Sequence, residues 1–303
     1  MPVSSDSSYY PTEKIFDKTT ISKGRFVIQG LCPHPSMFLL YVEVDSVLKY
    51  ISDYFIVDPG VQNITCNVDS LREIPKIGNK YMDELKNEYL PSFDKIKTER
   101  SEFFLNYARA HPKSFIILWE LINELTGRGY EPALDSAYHS LSVALRSSFA
   151  GKVLASKMPT MRKLAVGASF PELSLLDTNM NKVRIDLSSP HVKYVLVDFW
   201  HSHCAPCLSE FEELKKIYKE NETYGFAIAG VSVDGKKFIQ DWKRVIQEYQ
   251  LPWTQYLDLG GYQAYNLLIK AVPEMFLLDS RGKILKRDPD LKSLALFLKE
   301  NIH

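Results

Sequence analysis

The pattern of apolar and polar positions divides the chain into four successive regions. Residues 1–20 are polar and rich in serine, which indicates a disordered leader. Residues 21–75 contain short runs of β-branched and aromatic residues separated by proline, glycine and asparagine, a pattern typical of strands joined by turns. Residues 76–163 carry apolar residues at helical spacing. Residues 164–303 alternate between strand and helix patterns, which predicts an α/β domain.

The two middle regions are expected to form a β module followed by a helical segment. The strand candidates, which predict a small antiparallel sheet or sandwich, lie at 25–30, 37–44, 54–57 and 64–68. The helix candidates lie at 81–89, 93–111, 114–125 and 131–145. We interpret these helices as packing surface and spacer.

The last region contains the most regular alternation of elements. Its predicted strands lie at 195–200, 226–233, 275–279 and 283–286, after a β-hairpin formed by 173–176 and 183–186. Its predicted helices lie at 206–219, 237–249, 263–269 and 291–301.

Composition narrows the classes of function. The 303 residues include 37 basic and 37 acidic side chains, and this zero net charge argues against a nucleic-acid-binding surface or a polybasic membrane patch. No apolar run approaches the roughly 18 residues that a transmembrane helix needs. The N-terminus lacks the basic and apolar parts of a signal peptide, so either the protein is cytosolic or an export leader is absent from this chain. Four cysteines are too few for a disulfide scaffold.

Two of these cysteines stand where chemistry is expected. Cys204 and Cys207 lie between the predicted strand 195–200 and the helix that follows it. Two cysteines with this spacing can close a reversible disulfide, and the positive end of a helix dipole favours a thiolate at the first turn. Cys204 is therefore the expected nucleophile, and Cys207 the more buried thiol that resolves a mixed disulfide. Pro206 suits the start of a helix, where its missing N–H costs little.

Two other uses of these cysteines remain open at this point. The run His201-Ser-His203-Cys204-Ala-Pro-Cys207 offers two imidazoles and two thiols, which could bind a metal ion in a non-enzymatic carrier. The thiols could also be inert.

The residues around the cysteine pair resemble the thioredoxin superfamily, and more specifically the TlpA-type, AhpC/TSA-related thiol–disulfide oxidoreductases. The resemblance covers about residues 164–303. Its motifs are Val166-Gly-Ala-Ser-Phe-Pro171, Asp198-Phe-Trp200, Cys204-Ala-Pro-Cys207 with Glu210, Gly230-Val-Ser-Val-Asp234, Trp253, Val272-Pro273 and the run from Phe276 to Ile284. It implies a thioredoxin-like fold with a central mixed sheet flanked by helices. It also implies a redox-active disulfide without a further cofactor, a disulfide-containing protein substrate and an upstream thiol reductant.

The same resemblance implies roles for three further residues. Pro273 matches a cis-proline that faces the disulfide and presents backbone to an extended substrate. Asp198 matches a buried acid behind the second cysteine, where burial raises the pKa and lets the carboxylate exchange a proton with Cys207. Trp200 matches an aromatic residue that packs beside the site.

Three residues depart from the family pattern and are expected to tune the redox potential and the choice of partner. His203 replaces an aromatic residue before the nucleophile, His201 replaces a small residue, and Glu274 follows the proline where Thr is common. Protonated histidines would stabilise a Cys204 thiolate, whereas Glu274 would oppose it. Alternatively, both histidines are solvated surface residues.

A peroxidase is an alternative function, because AhpC/TSA enzymes include peroxidases. Those enzymes share a Pro-x-x-x-Thr/Ser-x-x-Cys loop that activates peroxide. Here His201 stands at the Thr/Ser position and Val197 at the proline position, so the sequence disfavours this alternative.

The N-terminal half is similar to a small β module that precedes a helical segment and a thioredoxin-like domain in exported proteins of many Gram-negative gut bacteria. The similarity rests on Phe26-x-Ile-x-Gly30, Phe55-x-Val-x-Pro-Gly60, Ile64-x-Cys-x-Val-Asp69 and His111-Pro-x-Ser114. It implies a periplasmic or envelope location, with the export leader absent from this chain. The module could dock a partner or the envelope.

Cys32 and Cys66 could pair in that compartment or remain buried free thiols. The sequence does not establish the direction of electron flow, the electron donor, the substrate or the oligomeric state of the protein.

Overall fold

The chain folds into two compact units, Met1–Pro159 and Thr160–His303, in a computed structural model. The structure describes residues 7–10, 19–30, 32, 34–44, 47–67, 73–96, 99–186 and 191–302. The expected leader over residues 1–20 therefore lies largely outside the described residues, as do Val68 and Asp69 of the N-terminal motif.

The described residues of the first unit form three two-stranded antiparallel sheets instead of one continuous sheet. Their strands are β1 (Ser36–Phe38), β2 (Tyr41–Val44), β3 (Val47–Ile51), β4 (Phe55–Val57), β5 (Ile64–Thr65) and β6 (Lys76–Ile77). β1 pairs with β4, β2 with β3, and β5 with β6. The antiparallel β prediction is confirmed, although the predicted strand 37–44 is divided into β1 and β2.

The predicted strand at 25–30 is wrong. Arg25 forms only an isolated bridge with Ser22, and the side chains of Val27 and Ile28 are largely exposed. A strand needs a partner with which to pair its backbone groups, and among the described residues none forms a ladder with this run. β-branched composition alone therefore overstated the strand content.

The helices of the first unit follow its strands. They are α1 (Lys80–Glu84), a π-helical turn (Leu85–Tyr89), α2 (Leu90–Phe93), α3 (Arg100–Ala110), α4 (Phe115–Gly127), α5 (Pro132–Ser140), α6 (Val143–Arg146) and α7 (Phe149–Arg162). α7 continues three residues past the end of this unit. The predicted helix 93–111 is interrupted between α2 and α3. α4 is apolar on nearly all sides and forms the centre of the unit, as expected for a fully buried helix.

Residues 7–10 are packed, in contrast to the disorder expected for residues 1–20. Ser7–Tyr9 forms a 3-10 turn, and both Tyr9 and Tyr10 are buried. The Tyr10 hydroxyl donates a hydrogen bond to the Met37 carbonyl oxygen at 2.7 Å, and its ring lies 5.0 Å from that of Trp119. Aromatic residues in this polar run supply the apolar area that holds it in place.

The second unit is built on a seven-stranded mixed sheet, which confirms the predicted α/β class. Its strands are β7 (Leu175–Leu176), β8 (Lys182–Val183), β9 (Tyr194–Trp200), β10 (Phe226–Ser232), β11 (Thr254–Leu257), β12 (Glu274–Asp279) and β13 (Ile284–Arg287). The strand order is β13-β12-β9-β10-β11-β7-β8. β9, β10 and β11 run parallel, whereas β12 pairs antiparallel with β9.

The helices of this unit are α8 (Ala205–Asn221), α9 (Ile239–Glu248), α10 (Tyr262–Asn266) and α11 (Leu291–Asn301). Alternation along β9 divides the core into two layers. Val195, Val197 and Phe199 share one apolar cluster, whereas Leu196 and Trp200 share the other with Cys207 and residues of α8, α9 and α11. Within the described ranges, every helix is too short or too polar to cross a bilayer.

Candidate redox site

The cysteine pair lies where β9 ends and α8 begins. Cys204 and Cys207 are joined in a disulfide, and Cys204 is the N-cap residue of the 17-residue helix α8. The backbone N–H of Cys207 donates to Cys204 Sγ, with 3.2 Å between the nitrogen and the sulfur. Cys204 is partly exposed, whereas only 2% of Cys207 is exposed. Solvent and substrate can therefore reach Cys204 far more readily than Cys207.

Asp198 lies behind the pair on the central strand. Leu196 and Trp200 belong to the core layer that contains Cys207, and strand alternation puts Asp198 on the same face of β9 as both. Its carboxyl group is buried, and no described residue supplies a hydrogen bond to Oδ1. Burial, followed by repulsion from Glu210, raises the pKa of Asp198 to about 7. A carboxyl group with this pKa can give or take a proton near neutrality.

Trp200 and Pro273 flank the disulfide. Trp200 is fully buried, and its ring packs edge-on against Phe211 at 5.2 Å between centroids. The Val272–Pro273 peptide bond is cis, and the carbonyl oxygen of Val272 lies 3.5 Å from Cys204 Sγ. The backbone just before Pro273 is thus the neighbour of the exposed sulfur.

Glu274 is paired with a residue that the sequence did not single out. Arg287 Nε donates to Glu274 Oε1 at 2.6 Å, and only 13% of each side chain is exposed. Burial raises the pKa of Glu274, while the Arg287 charge opposes that rise. The expected repulsion between Glu274 and a Cys204 thiolate is therefore reduced by the arginine. Arg287 lies opposite Phe276 in the β12–β13 ladder, and Phe276 follows Glu274 by two residues on β12. The sequence contains no local signal for this register, so it did not predict the contact between Arg287 and Glu274.

His201 and His203 both contact carboxylates. His201 Nε2 lies 3.2 Å from Asp234 Oδ1, and His203 Nε2 lies 3.6 Å from Asp241 Oδ2. The backbone N–H of His203 donates to His201 Nδ1 at 3.0 Å, which fixes the orientation of the His201 ring. Both rings also lie against the ring of Phe238. His201 is thus part of a polar cluster with Asp234, whereas His203 contacts Asp241 but remains half-exposed.

Asp234 anchors this cluster from the neighbouring strand. Its side chain is fully buried and follows β10, which runs parallel to β9. Oδ2 accepts hydrogen bonds from the Ser202 backbone N–H at 2.9 Å and the Ser232 hydroxyl at 2.7 Å, and Oδ1 accepts one from the Ser202 hydroxyl at 2.7 Å. In the sequence, Asp234 stands out only as part of a family motif. Its position at the carboxyl end of a strand next to β9 was the signal for a site residue.

The metal-ligand set predicted for a carrier includes both thiols. In the oxidised protein both thiols are tied up in the disulfide, which removes Cys204 and Cys207 as thiolate ligands. His201, His203 and Asp234 instead form a group whose possible ligand atoms all lie within 4.8 Å of one another.

Cys32 and Cys66 are free thiols in the first unit, so the open question of their pairing is answered for this structure. Burial raises the pKa of both thiols, which makes them poor nucleophiles at neutral pH. The Cys32 thiol donates to the carbonyl oxygen of His34 at 3.2 Å.

Residues 166–287 match the model of the AhpC/TSA family. Among curated proteins, the chain is similar to the thiol-disulfide oxidoreductase ResA of Oceanobacillus iheyensis, with 27% identity over 121 residues that cover 39% of this chain and 62% of the relative. ResA of Bacillus subtilis is 28% identical over 123 residues, which cover 41% of this chain and 66% of that relative. The chain thus spans just under two thirds of the length of these two relatives.

The chain is also similar to solved structures, one of which shows the same thioredoxin-like fold. A thioredoxin-like protein from Bacteroides caccae aligns with a TM-score of 0.54 and 14% identity, over 66% of this chain and 76% of that one. The thioredoxin domain of a thiol-disulfide oxidoreductase from Bacteroides vulgatus is 30% identical, over 46% of this chain and 99% of its own, with a TM-score of 0.41. Through its C-terminal unit the chain belongs to the thioredoxin superfamily, and this unit is similar to AhpC/TSA-related thiol–disulfide oxidoreductases of the TlpA type.

Proposed function

We propose that the protein reduces disulfide bonds of other proteins through a Cys204–Cys207 dithiol/disulfide cycle. The observation that carries this proposal is the asymmetry of the pair. Cys204 is partly exposed at the N-terminus of α8, whereas Cys207 is buried one turn further into the helix. Cys204 can therefore react with a substrate disulfide, and Cys207 can then displace the substrate from Cys204.

The first step is attack by Cys204. In the reduced protein the Cys204 thiolate attacks one sulfur of the substrate disulfide. A bond forms between Cys204 Sγ and that sulfur, and the other substrate sulfur leaves as a thiolate that takes a proton from water. The Cys207 N–H and the N-terminus of α8 favour the negative charge on Cys204 before the attack.

The second step closes the enzyme disulfide. The Cys207 thiol loses its proton, and its sulfur displaces the second substrate thiolate from Cys204. Asp198 is the proposed proton acceptor, because it is buried in the layer that contains Cys207 and its pKa of about 7 suits proton transfer near neutral pH. The substrate gains two electrons and two protons as a dithiol. An upstream thiol reductant then returns two electrons to the Cys204–Cys207 disulfide.

An extended protein segment is the substrate that this surface suits. The Val272 carbonyl oxygen lies beside Cys204 Sγ, so a substrate strand that passes Pro273 meets backbone hydrogen-bonding groups next to its own disulfide. We also propose a periplasmic or envelope location, where protein disulfides persist. Membrane-impermeant thiol reagents applied to intact cells would label Cys204 only if this location is right.

The decisive experiment measures thiol-dependent reduction of a model disulfide protein by the full chain. Wild-type protein should accelerate the reduction, and Cys204→Ser should abolish the acceleration. A matched control, Cys32→Ser with Cys66→Ser, removes the two other thiols and should retain full activity. Full activity in Cys204→Ser would overturn the proposal.

A further inference from the structure

We propose that His201, His203 and Asp234 form a binding site for one divalent transition-metal ion, with Zn²⁺ as its best probe. This site lies beside the dithiol and contains no sulfur ligand. It therefore differs from a carrier site made by the two cysteines, and it persists when the disulfide is closed. The proposal does not rest on the redox function proposed above.

The strand arrangement brings the three residues together. β9 and β10 run parallel, with Trp200 opposite Ser232 in the ladder. Their carboxyl ends therefore open onto the same edge of the sheet, where the two histidines follow β9 and Asp234 follows β10. The Val233 backbone N–H donates to the Trp200 carbonyl oxygen at 2.9 Å, which continues the pairing up to the cluster. The segments that follow β9 and β10, which are far apart in sequence, thus lie side by side.

The spacing of ligand atoms suits a small ion. His201 Nε2 and Asp234 Oδ1 are 3.2 Å apart. Two atoms that each lie about 2.1 Å from a shared ion and subtend about 100° at that ion are separated by about 3.2 Å, and both values are ordinary for zinc bound by His and Asp. A bound ion would take the place of the proton on His201 Nε2. One ligand atom of each of His201, His203 and Asp234 lies within 4.8 Å of the other two, and a shared ion requires the half-exposed His203 ring to turn toward it.

Charge also favours a cation at this position. The Asp234 side chain is fully buried, and a buried carboxylate needs a counter-charge. In the part of the chain that the structure describes, the ion pairs of Asp234 include neither lysine nor arginine, and the imidazole of His201 is the only basic side chain in contact with it. A divalent ion held between His201 and Asp234 would neutralise the carboxylate more fully than an imidazole does.

Surrounding hydrogen bonds already orient the two ligands. The His203 backbone N–H holds His201 Nδ1, which leaves Nε2 aimed at Asp234. Ser202 and Ser232 hold the carboxylate of Asp234. Contacts of this kind behind the ligands are a regular part of protein metal sites and raise their affinity.

The donor set indicates which ions would bind. Two imidazoles and one carboxylate suit zinc, copper, nickel and cobalt better than magnesium or calcium, which prefer oxygen ligands alone. The His203 side chain is 48% exposed, so water has access to the remaining coordination position. A site with three protein ligands and an open position is the arrangement found in catalytic zinc sites.

The experiment uses the oxidised full-length chain with Cys32→Ser and Cys66→Ser, so that it contains no free thiol. Titration with Zn²⁺ by calorimetry should give one ion per chain. Co²⁺ should produce visible ligand-field bands of a four- or five-coordinate site, without a thiolate-to-cobalt charge-transfer band. His201→Gln and His203→Ala should each weaken Zn²⁺ binding by about 10-fold or more. His139→Ala, which removes an exposed histidine of the first unit, should leave the binding unchanged.

Three outcomes would overturn the proposal. The first is unchanged affinity in both His201→Gln and His203→Ala. The second is an equal loss in His139→Ala, which would indicate scattered surface binding. The third is Zn²⁺ binding that appears only after reduction and disappears in Cys204→Ser, which would assign the metal to the thiols. Asp234→Asn tests the third ligand, and because that side chain is buried, the half-exposed His203 provides the variant whose folding is not at risk.

Discussion

The backbone N–H of Cys207 donates a hydrogen bond to Cys204 Sγ across 3.2 Å, within the first turn of α8. The second cysteine thus solvates the first through its backbone while its own sulfur stays buried. We expect the same N–H to face Cys204 Sγ in the reduced protein and to favour a thiolate at Cys204 over one at Cys207. This geometry separates the roles of two chemically identical side chains.

That separation predicts opposite behaviour of the two single-cysteine variants. Cys207→Ser should accumulate a mixed disulfide between Cys204 and a protein substrate, because the thiol that releases the substrate is missing. Cys204→Ser should form little or none, since the remaining sulfur of Cys207 is only 2% exposed. Non-reducing electrophoresis with mass spectrometry of the trapped species measures both. Trapping that is equally efficient in Cys204→Ser would contradict the assignment of the nucleophile.

Asp198 should make stability fall as pH rises through neutrality. Its pKa in the folded protein, about 7, lies above the ordinary value of an aspartic acid. The stability associated with its protonated form is fully present below pH about 4 and is lost as pH rises through about 7. Asp198→Asn lacks this loss. The free energy of unfolding of Asp198→Asn minus that of wild type should therefore increase by about 2–4 kcal/mol between pH 4 and pH 8. Urea unfolding of the oxidised proteins at several pH values measures the difference, and a pH-independent difference would show that folding does not raise the pKa of Asp198.

Asp198→Asn should also slow the second chemical step more than the first. A positioned proton acceptor contributes about 10²–10⁴-fold to a rate, so closure of the enzyme disulfide should slow by at least about 10-fold at pH 7. The initial attack by Cys204 should change much less. Rapid-quench measurement of both steps with a model disulfide distinguishes them. Equal slowing of the two steps would assign Asp198 a structural role only.

Local patterns predicted the site better than they predicted its surroundings. The apolar run that ends at Trp200, followed by Cys204, Pro206 and Cys207, was sufficient to predict the strand, the helix and the disulfide. Each of these features depends on neighbours in the sequence, which is where periodicity and capping signals act. The final helix, Leu291–Asn301, was predicted with the same limits for the same reason.

Contacts between residues that are far apart in sequence could not be predicted from local patterns. The pairing of His201 with Asp234 depends on the order and register of two strands. Arg287 reaches Glu274 only because β13 folds back along β12. β11 was missed because it has only four residues and begins with the polar residues Thr254 and Gln255, whereas buried parallel strands usually form continuous apolar runs. A single sequence does not encode these relationships as a local pattern.

The Glu274–Arg287 pair should be costly to break from one side. Both side chains are largely buried, so Arg287→Met leaves a carboxylate in an apolar environment without its partner. We expect a loss of about 3 kcal/mol in the free energy of unfolding at pH 7. The double variant Arg287→Met/Glu274→Gln should recover most of that loss, because it removes the unpaired charge. A double-mutant cycle measured by urea unfolding tests this, and additive effects of the two substitutions would show that the pair is not coupled.

The second unit should fold and react by itself. Residues 160–303 contain the whole seven-stranded sheet, both of its core layers and every residue of the proposed redox cycle. A domain with its own core generally folds alone. The isolated unit should therefore unfold in one cooperative transition and reduce a small disulfide at the rate of the full chain. Its Cys204→Ser form is the matched inactive control. If the isolated unit is folded but reduces protein disulfides more slowly than the full chain, residues 1–159 contribute to substrate binding, whereas an unfolded or inactive unit would contradict the prediction.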